Sequence, residues 1–217
     1  MQAMIRFSLL APLLISLVSC MSPPPEQSSA QPAPLGDALQ PVSAFNRILD
    51  RSARSAALFK EASRVIEHPR CLNCHPVDRT PTQGDDLHTH SPLIRADDAG
   101  HGPPGLPCNT CHQAQNTPTN VRPIESIPGH AHWMLAPPSM SWQGKSTGEI
   151  CEQIKDPARN GGRSLEKIHE HMAEDTLVGW AWHPGEGRRS APGTQQAFGE
   201  LLAAWIETGA ACPNTVR

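Results

Sequence analysis

The chemistry-bearing residues of this chain fall in two pentapeptides of one shape, "CLNCH" at Cys71 to His75 and "CNTCH" at Cys108 to His112. In each, two thiols stand three residues apart, close to one helical turn, so both project from the same side of the backbone. A histidine follows at once. Thiols at that spacing can reach the two vinyl groups on one haem edge and form thioethers, and the adjoining imidazole can then reach the iron. This is the attachment pattern of c-type haem. On this reading Cys71, Cys74 and His75 hold one covalent haem c and Cys108, Cys111 and His112 a second, with His75 and His112 as proximal iron ligands. Other chemistries share the spacing. Two CxxC pairs can give four thiolates to one tetrahedral zinc, and a CxxC can be a thiol–disulfide centre. Zinc does not require the histidine that closes both copies, and the redox reading expects one motif between a strand and a helix. Two haems c are therefore expected.

A six-coordinate haem needs a distal ligand, usually Met or His. With eleven histidines and six methionines in the chain, position has to choose. Met140 follows Pro137-Pro138-Ser139, like the proline-flanked methionine loop of many monohaem cytochromes, or it is a packing methionine. His90 lies between the two attachment sites, where a loop could return to either iron. His171 sits beside Met172 in a short helical stretch and could lie over a haem face. Trp133, Trp142, Trp180 and Trp182 flank these segments as porphyrin contacts or as ordinary core. The remaining mature-domain cysteines, Cys151 and Cys212, form a disulfide if the chain matures in an oxidising compartment.

Several elements must position these groups. Apolar residues at Phe45, Ile48, Leu49, Leu58, Phe59, Ala62, Val65 and Ile66 predict one amphipathic helix over 43–68, capped by Ser43 and stopped by Pro69. It delivers the chain to the first pentapeptide. Between Pro76 and Gly144 neither a helical nor a strand period survives, an unusually long irregular stretch for a compact domain, suited to wrapping a large apolar cofactor. Helical signals return with the capping-box spacing Ser146 to Glu149, closed by Pro157. Ser164 opens a helix through Leu165, Ile168 and Met172, and Thr194 opens another through Phe198, Leu201, Leu202, Trp205 and Ile206 that stops at Gly209. The fold class expected is mainly α: cytochrome c-like helices with long irregular loops around two haems.

Residues 1–20 read as an export signal, with Arg6 ahead of an apolar run from Phe7 to Val18 that is shorter than the ~20 residues a membrane-spanning helix needs. Leu17-Val18-Ser19-Cys20 resembles the bacterial lipobox, which would place a lipid on Cys20. Residues 21–42 are Pro/Ser/Gln-rich and read as a spacer, leaving 43–217 as the dihaem domain. Across 217 residues only 38% are apolar, with no tyrosine and 23 prolines, so buried porphyrins would supply apolar surface that the chain lacks. A net charge of −3 without a Lys/Arg cluster speaks against nucleic acid as partner.

The segments "HPRCLNCHP", "QGDDLH", "CNTCHQ", "GEICEQIKDPARNGG", "DTLVGWAW" and "TGAACP" resemble those of small exported bacterial dihaem c-type cytochromes, several of them labelled isoquinoline 1-oxidoreductase subunits. The resemblance runs from about His68 to Pro213 and implies haem binding and electron transfer. Because the chain has none of the machinery of a molybdopterin subunit, it does not imply isoquinoline oxidation by this chain. The expected function is an electron carrier, periplasmic or anchored to the outer membrane through lipid alone, working between an oxidoreductase partner and the respiratory chain. The alternatives are a small dihaem peroxidase and a zinc-stabilised exported binding module.

Overall fold

The computed structural model describes residues 37–121 and 124–215. The signal segment, Cys20 and most of the spacer lie outside the described residues.

The single helix expected over 43–68 is divided. Val42–Phe45 form a 3₁₀ turn, and α1 runs Arg51–Ile66 behind Asp50, whose carboxylate accepts from the Ala53 amide at 2.7 Å. A short acidic side chain that satisfies first-turn amides makes a helix start, not a helix interior. The apolar periodicity spans both pieces, which hides the break: Phe45 is buried, whereas Leu49 is 93% exposed at the joint. Pro69 also has a second role. Helix α1 has already ended when Pro69 opens α2 (Pro69–Leu72), with His68 as N-cap accepting from the Arg70 amide at 3.2 Å. Proline is suited to a first helical position because its missing N–H would have no partner there.

Regular structure then becomes sparse, although two small antiparallel ribbons interrupt the stretch read as irregular. Strand β1 (Thr82–Gln83) pairs with β2 (His88–Thr89), and β3 (Thr117–Val121) pairs with β4 (Ile124–Ile127) with a register irregularity between Pro118 and Val121. The C-terminal third follows its capping signals. Helix α3 (Thr147–Lys155) carries the full Ser146–Glu149 capping box, α4 (Leu165–Glu174) is capped by Ser164, α5 (Thr176–Gly179) by Asp175, and α6 (Gln195–Glu207) by Thr194. Gly209, at φ +107°, turns the chain after α6 in a conformation that costs other residues a steric clash.

The core is the seam of α1, α3, α4 and α6. Leu58, Phe59, Val65, Ile66, Ile150, Ile154, Leu201, Leu202 and Trp205 are almost wholly buried. Phe59 and Trp205 meet at 4.9 Å between ring centres. Ser55 bridges the helices inside this seam, donating to the Trp205 carbonyl at 3.0 Å and accepting from the Ala211 amide at 2.9 Å. Cys151 and Cys212 are joined in a disulfide that ties α3 to the segment after α6. The body begins by Asp37, ahead of the boundary expected at Ser43: Asp37 accepts from the Gly193 amide and Gln40 donates to Glu61. Among the described residues no helix is long and apolar enough to cross a membrane.

Candidate functional site

Both pentapeptides fold as one helical turn. The His75 amide donates to the Cys71 carbonyl at 3.1 Å, and the His112 amide donates to the Cys108 carbonyl at 2.9 Å. The first turn continues α2; the second is a 3₁₀ turn over Cys108–Thr110 that follows Pro107. Each turn sets its two thiols on one side with the histidine next in line.

The two histidines are held alike. His75 Nδ1 donates to the Met140 carbonyl at 2.7 Å, and His112 Nδ1 donates to the Pro128 carbonyl at 2.7 Å. A carbonyl can only accept, so the proton is fixed on Nδ1 and the lone pair of the neutral ring on Nε2, the arrangement a metal-binding imidazole needs. A tryptophan then lies flat on each ring: Trp142 on His75 at 3.4 Å and 4°, Trp133 on His112 at 4.7 Å and 12°. Burial holds His75 down at about 4, with the Met140 carbonyl opposing and the charge of His171 adding to the fall. Burial likewise lowers His112, against the Pro128 carbonyl and together with His90 and Arg188. Both rings are therefore neutral at ordinary pH.

The supports differ. At the first site the segment after Met140 doubles back: the Trp142 amide donates to the His75 carbonyl at 3.0 Å, and Ala136 donates to the Cys74 carbonyl at 3.1 Å. At the second, Pro128 reaches His112 because Gly129 passes so close to the preceding loop that a Cβ there would lie 2.0 Å from the Gln115 carbonyl oxygen. Asn116 locks this approach, accepting from the Gly129 amide at 3.0 Å and from Trp180 Nε1 at 2.8 Å while donating to the His183 carbonyl at 3.0 Å. Trp180 in turn meets Trp133 edge-on at 5.0 Å. Trp182 instead belongs to the body, donating to the Pro192 carbonyl and packing on Phe198.

As thiols, Cys71 and Cys74 are pushed up by burial to about 12 and about 11, which suppresses the thiolate that disulfide exchange would use. The Cys108 thiol contributes to the rise at Cys74, so the two pentapeptides come within electrostatic reach of each other. Among the described residues no three His, Cys, Asp or Glu side chains converge on a metal-sized point. Two buried donors beside the first site have no hydrogen-bond partner, Arg70 Nε and Trp142 Nε1. Buried donors are rarely left so, and a bound group carrying acceptors would satisfy them. The other end of the Arg70 guanidinium donates to the Gly84 carbonyl and pairs with Asp85, within the QGDDLH segment.

The three distal candidates part company. Met140 is buried in the core, and its own carbonyl takes the Nδ1 side of His75, opposite the free nitrogen. His171, half-buried on α4, donates from Nδ1 to Asp175 at 3.0 Å, and its charge reaches His75. His90 lies with its ring centre 5.9 Å from that of His112. The residues that sequence reasoning missed are the carbonyl acceptors of Met140 and Pro128 and the supports Gly129 and Asn116. The one signal available for them was the Pro128-Gly129 pair, since such dipeptides mark turns. No family model, curated protein or solved structure matches this chain.

Proposed function

We propose that this chain is an exported dihaem c-type cytochrome that carries single electrons between an oxidoreductase partner and the respiratory chain. The observation that carries the reading is the matched pair of histidines: each closes a Cys-Cys-His turn, each gives its Nδ1 proton to a backbone carbonyl, and each lies against a tryptophan. Covalent haem fits these residues. The thiols lie on one side of one turn, Nε2 is left as the free lone pair, and the buried unpartnered donors of Arg70 and Trp142 await an acceptor.

A haem bound there supplies reversible one-electron exchange at its iron without transfer of an atom. The chain's own residues do the rest. His75 and His112 offer neutral imidazoles whose orientation is fixed by the Met140 and Pro128 carbonyls, a constraint that also raises their basicity as ligands. Trp142 and Trp133 cover the rings against water. The charge of Cys108 is felt at Cys74, which is compatible with two centres within reach of each other. At the first centre the candidate distal ligands are Met140, buried in the core, and His171, half-buried on α4. A lipid on Cys20 would be the sole membrane attachment, with 21–36 as its tether.

Protein matured with the haem-attachment machinery should be red and keep two haems per chain through denaturing electrophoresis. A colourless product with one zinc per chain overturns the reading. A high-spin haem that consumes peroxide moves it to the peroxidase. Cys20→Ser should shift the protein from the membrane to the soluble fraction with its spectrum unchanged; unchanged partitioning would remove the lipid anchor.

A further inference from the structure

We propose that His90 is the distal ligand of the iron held by His112, so that the second centre is a bis-histidine haem; the inference rests on the dihaem reading above.

Ring geometry admits the pair, as it does His130 and His132, whose centres are also 5.9 Å apart but which stand two residues from each other on one turn. The His90 and His112 ring centres are 5.9 Å apart with the planes inclined at 49°. With metal–imidazole bonds of about 2 Å, two rings on opposite sides of one metal have centres roughly 6 Å apart. The pair is thus near the separation it would need, without a large movement of the backbone.

Ring chemistry agrees. His90 Nδ1 donates to the Pro92 carbonyl at 2.8 Å, which fixes the proton as at His75 and His112 and leaves Nε2 as the lone pair. Two other histidines spend Nε2 elsewhere. His130 uses both nitrogens, Nε2 with the Thr176 hydroxyl at 3.0 Å and Nδ1 accepting from the His132 amide at 3.1 Å. His169 spends Nε2 on the Gly199 carbonyl at 3.2 Å. His88 is exposed and pairs with Asp86.

His90 is also anchored. Its amide donates to the Pro81 carbonyl at 3.1 Å, and the next amide, Ser91, donates to Gln83 at 3.0 Å. This clamps it to the β1–β2 ribbon. The ribbon is rooted on the first attachment turn: Thr82 donates to Asn73 at 2.8 Å, Asn73 donates to the Gly84 carbonyl at 3.0 Å, and Gln143 joins Thr82 to the Leu72 carbonyl. The first turn therefore positions the second centre's ligand through the β1–β2 ribbon.

The test uses the full mature chain loaded with haem. Wild type should contain two haems per chain, both low-spin by visible and electron paramagnetic resonance spectra. His90→Ala should keep two haems, turn one of them high-spin, and recover the low-spin spectrum when imidazole is added. In a Cys108→Ala/Cys111→Ala background, which retains only the first haem, adding His90→Ala should change nothing. If His90→Ala holds two low-spin haems, the ligand assignment falls while the dihaem reading stands. If His90→Ala turns the remaining haem high-spin in the Cys108→Ala/Cys111→Ala background, His90 serves the His75 iron and the assignment is overturned. Fewer than two haems in the wild type would remove the dihaem reading itself and the inference with it.

Discussion

The two Cys-Cys-His turns share their local geometry and differ in what holds them. Cys71–His75 grows out of α1 and α2, and its histidine is covered by Trp142, 4% exposed at the edge of the apolar body. Cys108–His112 hangs in loops: Cys111 is exposed, Trp133 is only half-buried, and the turn is held by hydrogen bonds from Asn116, Gly129 and their neighbours. Arg79 holds the intervening loop in the same way, donating to the Asp97 carbonyl at 3.0 Å and the Ala136 carbonyl at 2.8 Å. One site is supported by packing and the other by directed polar contacts. Packing survives small displacements, whereas a net hydrogen bond contributes only about 1 kcal/mol and vanishes when its geometry is lost. The first site should therefore fail with the body, and the second by itself.

The largest effect expected follows from the disulfide. Its loop closure spans a sequence separation of 61, worth about 4 kcal/mol in the chain-entropy account. Cys151→Ser/Cys212→Ser should lower the thermal midpoint and reduce hydrogen-exchange protection in α1, α3 and α6, leaving exchange over residues 113–136 governed by its own local opening. Equal loss of protection in both regions would show them to be one cooperative unit and end the contrast. The tryptophans sharpen it. Trp142→Ala should cost about 3 kcal/mol, the low end for a buried aromatic. Trp133→Ala should cost less than half of that. Chemical denaturation of the two variants checks the ratio.

Gly129→Ala separates local from global failure. A Cβ 2.0 Å from the Gln115 oxygen must push Pro128 away from His112, at a cost of about 1–3 kcal/mol in the loop. In protein carrying the two proposed haems, one should change its spectrum and potential while the other, and the melting of the helical body, stay as they were. A change at both haems would show that the ribbon linking the sites transmits the disturbance.

What the sequence made legible has a physical pattern. Side-chain chemistry could be read: the two Cys-Cys-His turns, the caps at Ser146, Ser164 and Thr194, and the Cys151–Cys212 bridge, which two surplus cysteines suggested. Backbone chemistry could not. Any residue can offer a carbonyl, so nothing in the identities of Met140 and Pro128 marks them as partners of His75 and His112. The thioether of Met140 drew attention, and its oxygen turned out to make the contact. The division at Asp50 was masked because apolar spacing continues through the 3₁₀ turn, and β3 was masked by Pro118 and its irregular register. Two-residue strands such as β1 are too short to display a period.

The smallest effect concerns acid and the first site alone. His68 caps α2 with an unprotonated Nδ1, and burial, with the charges of Arg70 and Arg189 adding to it and Asp85 opposing, lowers its pKa to about 4. In the unfolded chain a histidine titrates near 6.5. Between 6.5 and 4 the unfolded state therefore binds more protons than the folded one, and stability falls as pH drops through that window, levelling off below it. Because the ring is half open to water, the loss is on the order of 1 kcal/mol rather than the full value of such a shift. Asparagine caps a helix without titrating. His68→Asn should thus match wild type at pH 7.5, within a few tenths of a kcal/mol, and exceed it at pH 4.5 in denaturant titrations. Parallel curves for the two proteins at both pH values would show that the protonated ring is tolerated at the cap. The acid response of the first site would then have to come from another of its groups, such as His75, which burial also lowers to about 4.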